Sequence, residues 1–347
     1  MIIDCHGHFT SEPAAFRAHR EAQVAHAEGR AARPAPYAGV PDDELRAIVE
    51  ANQLRLQRER GTDLTVLSPR ASAMGHHVPG EQTAIEWARQ SNDTVRRIGE
   101  LFPDNFVAAC QLPQTVDGGL DAAVAELERC VEAGFVACNV NPDPSGGGWT
   151  APPLPDPWWD PLWHTLERLD VPAMIHVSAS TRPAVHTTGA YYLAADTTAF
   201  MQLLGSDLFD RHPGLRLVIP HGGGAVPYHW GRYRGIALKN GVLDGFERLR
   251  DNLFFDSCVY HQAGIDLLLG VIGPGNILFG SELLGAVAGE NPETGHPFDD
   301  TRRYLEAAGL GEDDLRRVFE GNARRVYPRL DTLLATRAIA SERGVRA

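Results

Sequence analysis

Apolar residues in this chain gather into short runs. Those at 2–5, 64–68, 106–112, 135–140, 173–177, 215–220, 253–256 and 277–280 are rich in Val, Ile and Phe and are bounded by polar, Gly or Pro residues. That is the pattern of buried strands. Between them lie amphipathic stretches at 43–60, 82–102, 120–133, 158–169 and 262–272, which predict helices. A βα alternation predicts a parallel sheet with crossover helices. Eight repeats point to a closed (β/α)8 TIM barrel, and 347 residues suit a single α/β domain spanning 1–347. No GxGxxG follows the first strand, which removes a dinucleotide-binding fold.

Two regions depart from the alternation. Residues 9–42 show little apolar periodicity and are expected to form an excursion over the barrel mouth. Residues 141–160 are rich in Pro and Gly yet hold Trp149, Trp158 and Trp159, so a loop walling the mouth is expected, with the tryptophans packing rather than binding. Beyond Arg302 the chain reads as helical, with a C-terminal cap over 314–340.

Composition narrows the partners. Net charge is −13, which argues against nucleic acid or an anionic membrane. No apolar run approaches the ~20 residues of a membrane span, and no signal-peptide pattern precedes His6. The cysteines (Cys5, Cys110, Cys130, Cys138, Cys258) are odd in number and form no CxxC pair, which suits reduced core thiols in the cytoplasm. A homo-oligomer, dimer or larger, is expected of a barrel with long excursions.

Candidate chemistry stands at the strand ends, where barrel active sites lie. The first strand leads to His6 and His8, separated by Gly7; residues two apart on a strand share a face and can meet one ion. His176 closes the fifth strand, His221 the sixth and Glu282 the eighth. His176 suits a third metal ligand. His221 precedes Gly222-Gly223-Gly224, where glycines would let a ligand approach the backbone, so it is read as catalytic or metal-adjacent. Glu282 suits a ligand or a proton carrier.

These motifs, with Gly280-Ser281-Glu282 and Gly321-Asn322-Ala323-Arg324, resemble the amidohydrolase superfamily in its branch of metal-dependent decarboxylases and hydratases. That branch commonly carries Asp where this chain has Glu282, which weakens a plain decarboxylase assignment. Longer segments, among them ERGTDLTVLSPRAS, HTTGAYYLAADTTAFMQ and IPHGGGAVPYHWGR, resemble its 4-oxalomesaconate hydratases of protocatechuate and gallate breakdown. The resemblance implies one zinc per subunit, held by His6, His8, His176 and Glu282, with manganese or cobalt as other possible fillings. It implies reversible addition of water to an unsaturated keto tricarboxylate.

Such a reaction needs proton carriers and a positive pocket. His221 and Glu282 are the first candidates for proton transfer, with Glu44 and Glu50 as further ones. Arg70, Arg232 and Arg234 are candidates for carboxylate binding. His77, Asn139, Asn141, Ser178, His186 and Tyr192 complete the expected polar pocket. A metal-dependent decarboxylase of an aromatic or enoic acid is the main alternative. A hydrolase comes third, and a non-catalytic metal-binding protein last.

Overall fold

A computed structural model describes residues 1–185 and 188–344. Its centre is a sheet of parallel strands in sequential order: β1 (Ile3–Phe9), β2 (Leu64–Pro69), β3 (Phe106–Gln111), β4 (Ala137–Val140), β5 (Ala173–Ile175), β6 (Leu217–Ile219), β7 (Leu253–Asp256) and β8 (Ile277–Leu278). The ring closes through the Cys5 N–H, which donates to Phe279 O at 2.9 Å, and the Glu282 N–H, which donates to His6 O at 2.9 Å. This is the (β/α)8 barrel that the alternation predicts.

All eight barrel strands are buried on both faces, which is why apolar runs mark them in the sequence. Outward residues such as Leu67, Phe106, Ile175 and Phe255 pack against helix residues such as Ile98, Leu127, Leu162 and Leu268. Inward residues such as Ile3, Val66, Ala109, Met174 and Phe254 fill the lower lumen. That floor is sealed by Ala323, Val326, Tyr327 and Leu330. The C-terminal segment expected as a cap is thus a plug under the N-terminal ends of the strands.

Period two carries each strand from floor to rim. Val66 is followed on the same face by Ser68, Ala137 by Asn139, Met174 by His176 and Phe254 by Asp256. β1 breaks step. Its register with β2 shifts between Asp4 and Gly7, so inward Cys5 is followed by inward His6. Asp4 supports the irregularity: its carboxylate accepts from the His6 N–H at 2.9 Å and the Ser281 N–H at 3.1 Å. Gly7 faces outward, where a Cβ would lie 2.3 Å from Thr65 Cγ2.

Two expectations need adjusting. β1 runs through both histidines instead of ending before them. The 9–42 excursion contains a helix, Ala14–Ala27, whose buried side chains are Phe16, Arg20 and Gln23. Two polar members of that stripe hide its period from a hydrophobicity reading. The 141–160 loop is irregular as expected. Trp159 is buried and stacks on Trp163 with centroids 5.5 Å apart, while Trp149 packs on the cluster of Val177, Tyr191 and Ala195.

Candidate metal centre and substrate cavity

Three histidines converge at the rim. His6 Nε2 lies 3.0 Å from His8 Nε2, and His8 Nε2 lies 3.3 Å from His176 Nε2. The opposite nitrogen of each ring is already committed. His6 Nδ1 donates to Asp256 Oδ2 at 2.7 Å, and His176 Nδ1 to Val177 O at 2.8 Å. His8 Nδ1 lies 2.7 Å from Ser68 Oγ, whose own hydrogen faces the carbonyls of Gly7 and Pro69, so His8 donates there. All three Nε2 lone pairs therefore face one another with no proton between them. A cation resolves that repulsion. Metal–nitrogen bonds of ~2.0–2.1 Å in a tetrahedron place ligand nitrogens about 3.3 Å apart, close to the observed spacing. Partners on the far nitrogen are the usual means of orienting metal-binding histidines.

His6, His176, His221 and Glu282 also form a buried group with donor atoms within 4.8 Å of one another. His221 Nδ1 donates to Asp196 Oδ2 at 2.8 Å, while its Nε2 is buried without a hydrogen-bond partner among the described residues, 3.8 Å from Glu282 Oε2. Tyr260 OH lies 3.1 Å from Glu282 Oε2 and 3.0 Å from Ser281 O. The backbones of His221 (φ 53), Tyr260 (φ 65), Glu282 (φ 49) and Leu284 (φ 60) are all left-handed. Strain of this kind persists where surrounding contacts over-determine it, commonly at functional sites.

Charge divides the cluster. Burial pulls His8 down to about 3, aided by the charge of His6, and holds His176 well below its ordinary value. Both are neutral imidazoles at neutral pH. Burial also pulls His221 down, but Asp196 and Glu282 outweigh it and hold the imidazole well above its usual value. Burial pushes Glu282 up, and His221, His6 and His8 overcome that, keeping the carboxylate below its usual range. Burial lifts Asp196 to about 6, opposed by His221.

A cavity of about 430 Å³ opens beside the cluster, lined by His8, His176 and Glu282 on one side and by Thr10, Arg70, Ser72, Ser178, Tyr191 and Tyr192 on others. The Tyr192 ring lies 4.4 Å from that of His221, and burial pushes its hydroxyl up to about 12. Arg70, Ser178 and Tyr192 thus stand where a pocket was expected.

Other expected residues stand elsewhere. Glu44 and Glu50 are exposed, because Leu45 and Val49 take the buried side of helix Asp42–Val49. Arg232 and Arg234 are exposed on helix Val226–Lys239, and Arg234 pairs with Glu247 at 2.7 Å. His77 lines a separate cleft with Glu81 and Thr115. Asn139 donates to Ser68 Oγ at 3.2 Å, beneath His8. Asn141 is enclosed by Gln114, His76 and Ser178. His186 lies outside the described residues. The glycine turn also serves a different end: a Cβ on Gly222 would lie 2.5 Å from Val259 and one on Gly223 2.6 Å from Phe255. Close approach there is to the protein itself.

Sequence reasoning passed over Asp196, Asp256, Ser68 and Tyr260. Asp256 had a signal, since it ends β7 two residues after inward Phe254; besides His6 it accepts from the Gly222 and Cys258 N–H groups. Asp196 had only a weak one, a lone carboxylate in the apolar helix Tyr191–Leu203.

The amidohydrolase family profile matches residues 3–329. The chain is 55% identical over 343 residues to a 2-keto-4-carboxy-3-hexenedioate hydratase of Sphingobium sp., covering 98% of this chain and 99% of that protein. It is 35% identical to a gamma-resorcylate decarboxylase of Rhodococcus jostii, over 82% of this chain and 90% of that one. The crystal structure of 4-oxalomesaconate hydratase from Rhodopseudomonas palustris matches with a TM-score of 0.90 and 48% identity, covering 98% of this chain and 100% of that one.

Proposed function

The chain belongs to the amidohydrolase family, and from that premise we propose that it is a zinc-dependent hydro-lyase. Its reaction is the reversible hydration of 4-oxalomesaconate (2-keto-4-carboxy-3-hexenedioate) to 4-carboxy-4-hydroxy-2-oxoadipate. The observation that carries this reading is the placement of His221 Nε2 3.8 Å from Glu282 Oε2, next to the three converging histidines and a cavity that also presents Arg70. Near-full-length similarity to a hydratase supports the substrate class. His6, His8, His176 and Glu282 would hold the ion. A bound zinc supplies a Lewis acid that makes water a nucleophile at neutral pH.

The residues divide the remaining work. Two groups whose environments push their pKa values apart are an acid and a base. Glu282 takes the proton of the adding water as oxygen bonds to carbon 4. Electron density moves through carbon 3 onto the keto oxygen, where Tyr192 donates a hydrogen bond. Arg70 holds a carboxylate. The His221 imidazolium, anchored by Asp196, delivers its proton to carbon 3 and restores the ketone. Across 3.8 Å, the proton on Glu282 then returns to His221, and the cycle closes with one water added. Five buried free thiols suit a reducing compartment, and the cytoplasm is the one this reading assigns.

The test is a steady-state assay of the zinc-loaded protein on 4-carboxy-4-hydroxy-2-oxoadipate, following ultraviolet absorbance and carbon dioxide together. Growth of a conjugated keto-enoate chromophore without carbon dioxide, lost in Glu282→Gln, is the expected result. Carbon dioxide release from an aromatic acid, with no chromophore from this substrate, would establish the decarboxylase instead.

A further inference from the structure

The excursion after β1 carries a buried ion pair that the chemistry above does not use. Arg20 is 6% exposed. Its Nη1 lies 3.2 Å from Glu12 Oε1 and donates to Ala73 O at 3.2 Å, while Nη2 donates to Ser91 Oγ on helix Glu81–Leu101. The guanidinium lies 4.4 Å from the centroid of the Phe16 ring and 5.7 Å from that of Trp87. Burying this charge is costly unless its partners are well placed, and one arginine here ties together three separate segments.

Two of those segments, the start of the excursion and the turn after β2, frame the cavity. Ala73 ends the turn Ala71–Ala73, which begins directly after Arg70. Arg70 and Ser72 line the cavity, and so does Thr10, two residues before Glu12. Beyond the turn, Gly75 (φ +58) presses on Trp87 so closely that a Cβ would lie 2.1 Å from the indole. The turn is therefore gripped by Arg20 through Ala73 and by Trp87 through Gly75. Glu12 stands in the field of Arg20, Arg70 and Arg17.

We propose that Glu12 and Arg20 form a positioning pair that fixes the turn presenting Arg70, so that Arg70 meets a substrate carboxylate in a preset geometry. A preorganised clamp spares the ordering cost of binding. This inference rests on the reading of the cavity as the site of a polycarboxylate.

A double-mutant cycle tests it. Arg20→Met, Arg70→Met and the double variant are made in the zinc-loaded full chain. Each is read by kcat and KM for hydration and, independently of turnover, by calorimetric affinity for tricarballylate. Arg20→Met is expected to raise KM and the tricarballylate Kd about tenfold, with kcat within about twofold. In the Arg70→Met background the same change has an effect below about twofold, because its target is already gone. Glu12→Gln shifts both constants in the same direction, and Arg20→Lys recovers part of the loss. Should Arg20→Met fail to fold by thermal melting, Arg20→Lys and Glu12→Gln carry the same cycle against Arg70→Met. Equal effects in both backgrounds, or a loss confined to kcat, would overturn the positioning role while leaving the cavity reading intact. A wild-type protein that neither hydrates the substrate nor binds tricarballylate would overturn both.

Discussion

The floor and the rim of this barrel are built from the same strands and obey different rules. At the floor, inward positions are Ile3, Val66, Met174, Val218 and Phe254, sealed by Tyr327 and Leu330. Two or three residues further along, the same face carries His6, Ser68, His176 and Asp256. The floor stabilises the fold by apolar burial, with each enclosed Leu or Ile contributing about 1.5–3 kcal/mol. The rim works against it, holding buried charge, facing lone pairs and left-handed backbone at His221, Tyr260, Glu282 and Leu284. Stability and chemistry are thus segregated along the strands, as the fold allows.

The sharpest break is Glu282→Gln or His6→Ala. Steady-state kinetics should show a fall in kcat of at least about 10³-fold, while chemical denaturation of the metal-free Glu282→Gln protein moves by no more than about 1 kcal/mol. A floor substitution should do the reverse. Leu330, fully buried, truncated to alanine should lose about 2–5 kcal/mol in denaturant titrations, with kcat per folded molecule kept within about twofold.

Asp196→Asn sharpens the rim itself. Without that carboxylate His221 loses a support that raises its pKa. With His221 as the acid of the proposed cycle, activity is lost as pH rises through its pKa; the alkaline limb of the kcat profile should move to lower pH. At neutral pH kcat should fall about 10²-fold. The smallest effects belong to residues outside both regions. Glu50→Gln and Arg234→Ala should leave kcat/KM within about twofold and stability within ~0.5 kcal/mol.

Much of this division is legible in the sequence. Strands covered on both faces leave continuous apolar runs, and β-strand parity places His176 on the inner face two residues after Met174. The irregularity in β1 is not legible, because it depends on Asp4 bonding to Ser281, 277 residues away. Helix faces are also ambiguous. Glu44, Glu50, Arg232 and Arg234 have the right chemistry, and only packing shows that they point to solvent. Arg20 is the opposite case: its charge reads as surface, while Glu12, Ala73 and Ser91 hold it inside. Asp256 was within reach of the strand-end rule and belongs with His6, which it orients.

Metal titration tests the central claim most directly. Protein stripped by a chelator and refilled with zinc should regain hydratase activity in proportion to bound metal, reaching a plateau at one equivalent per subunit, and His8→Ala should bind zinc far more weakly by the same titration. Full hydratase activity in protein shown by elemental analysis to hold no metal would contradict the account.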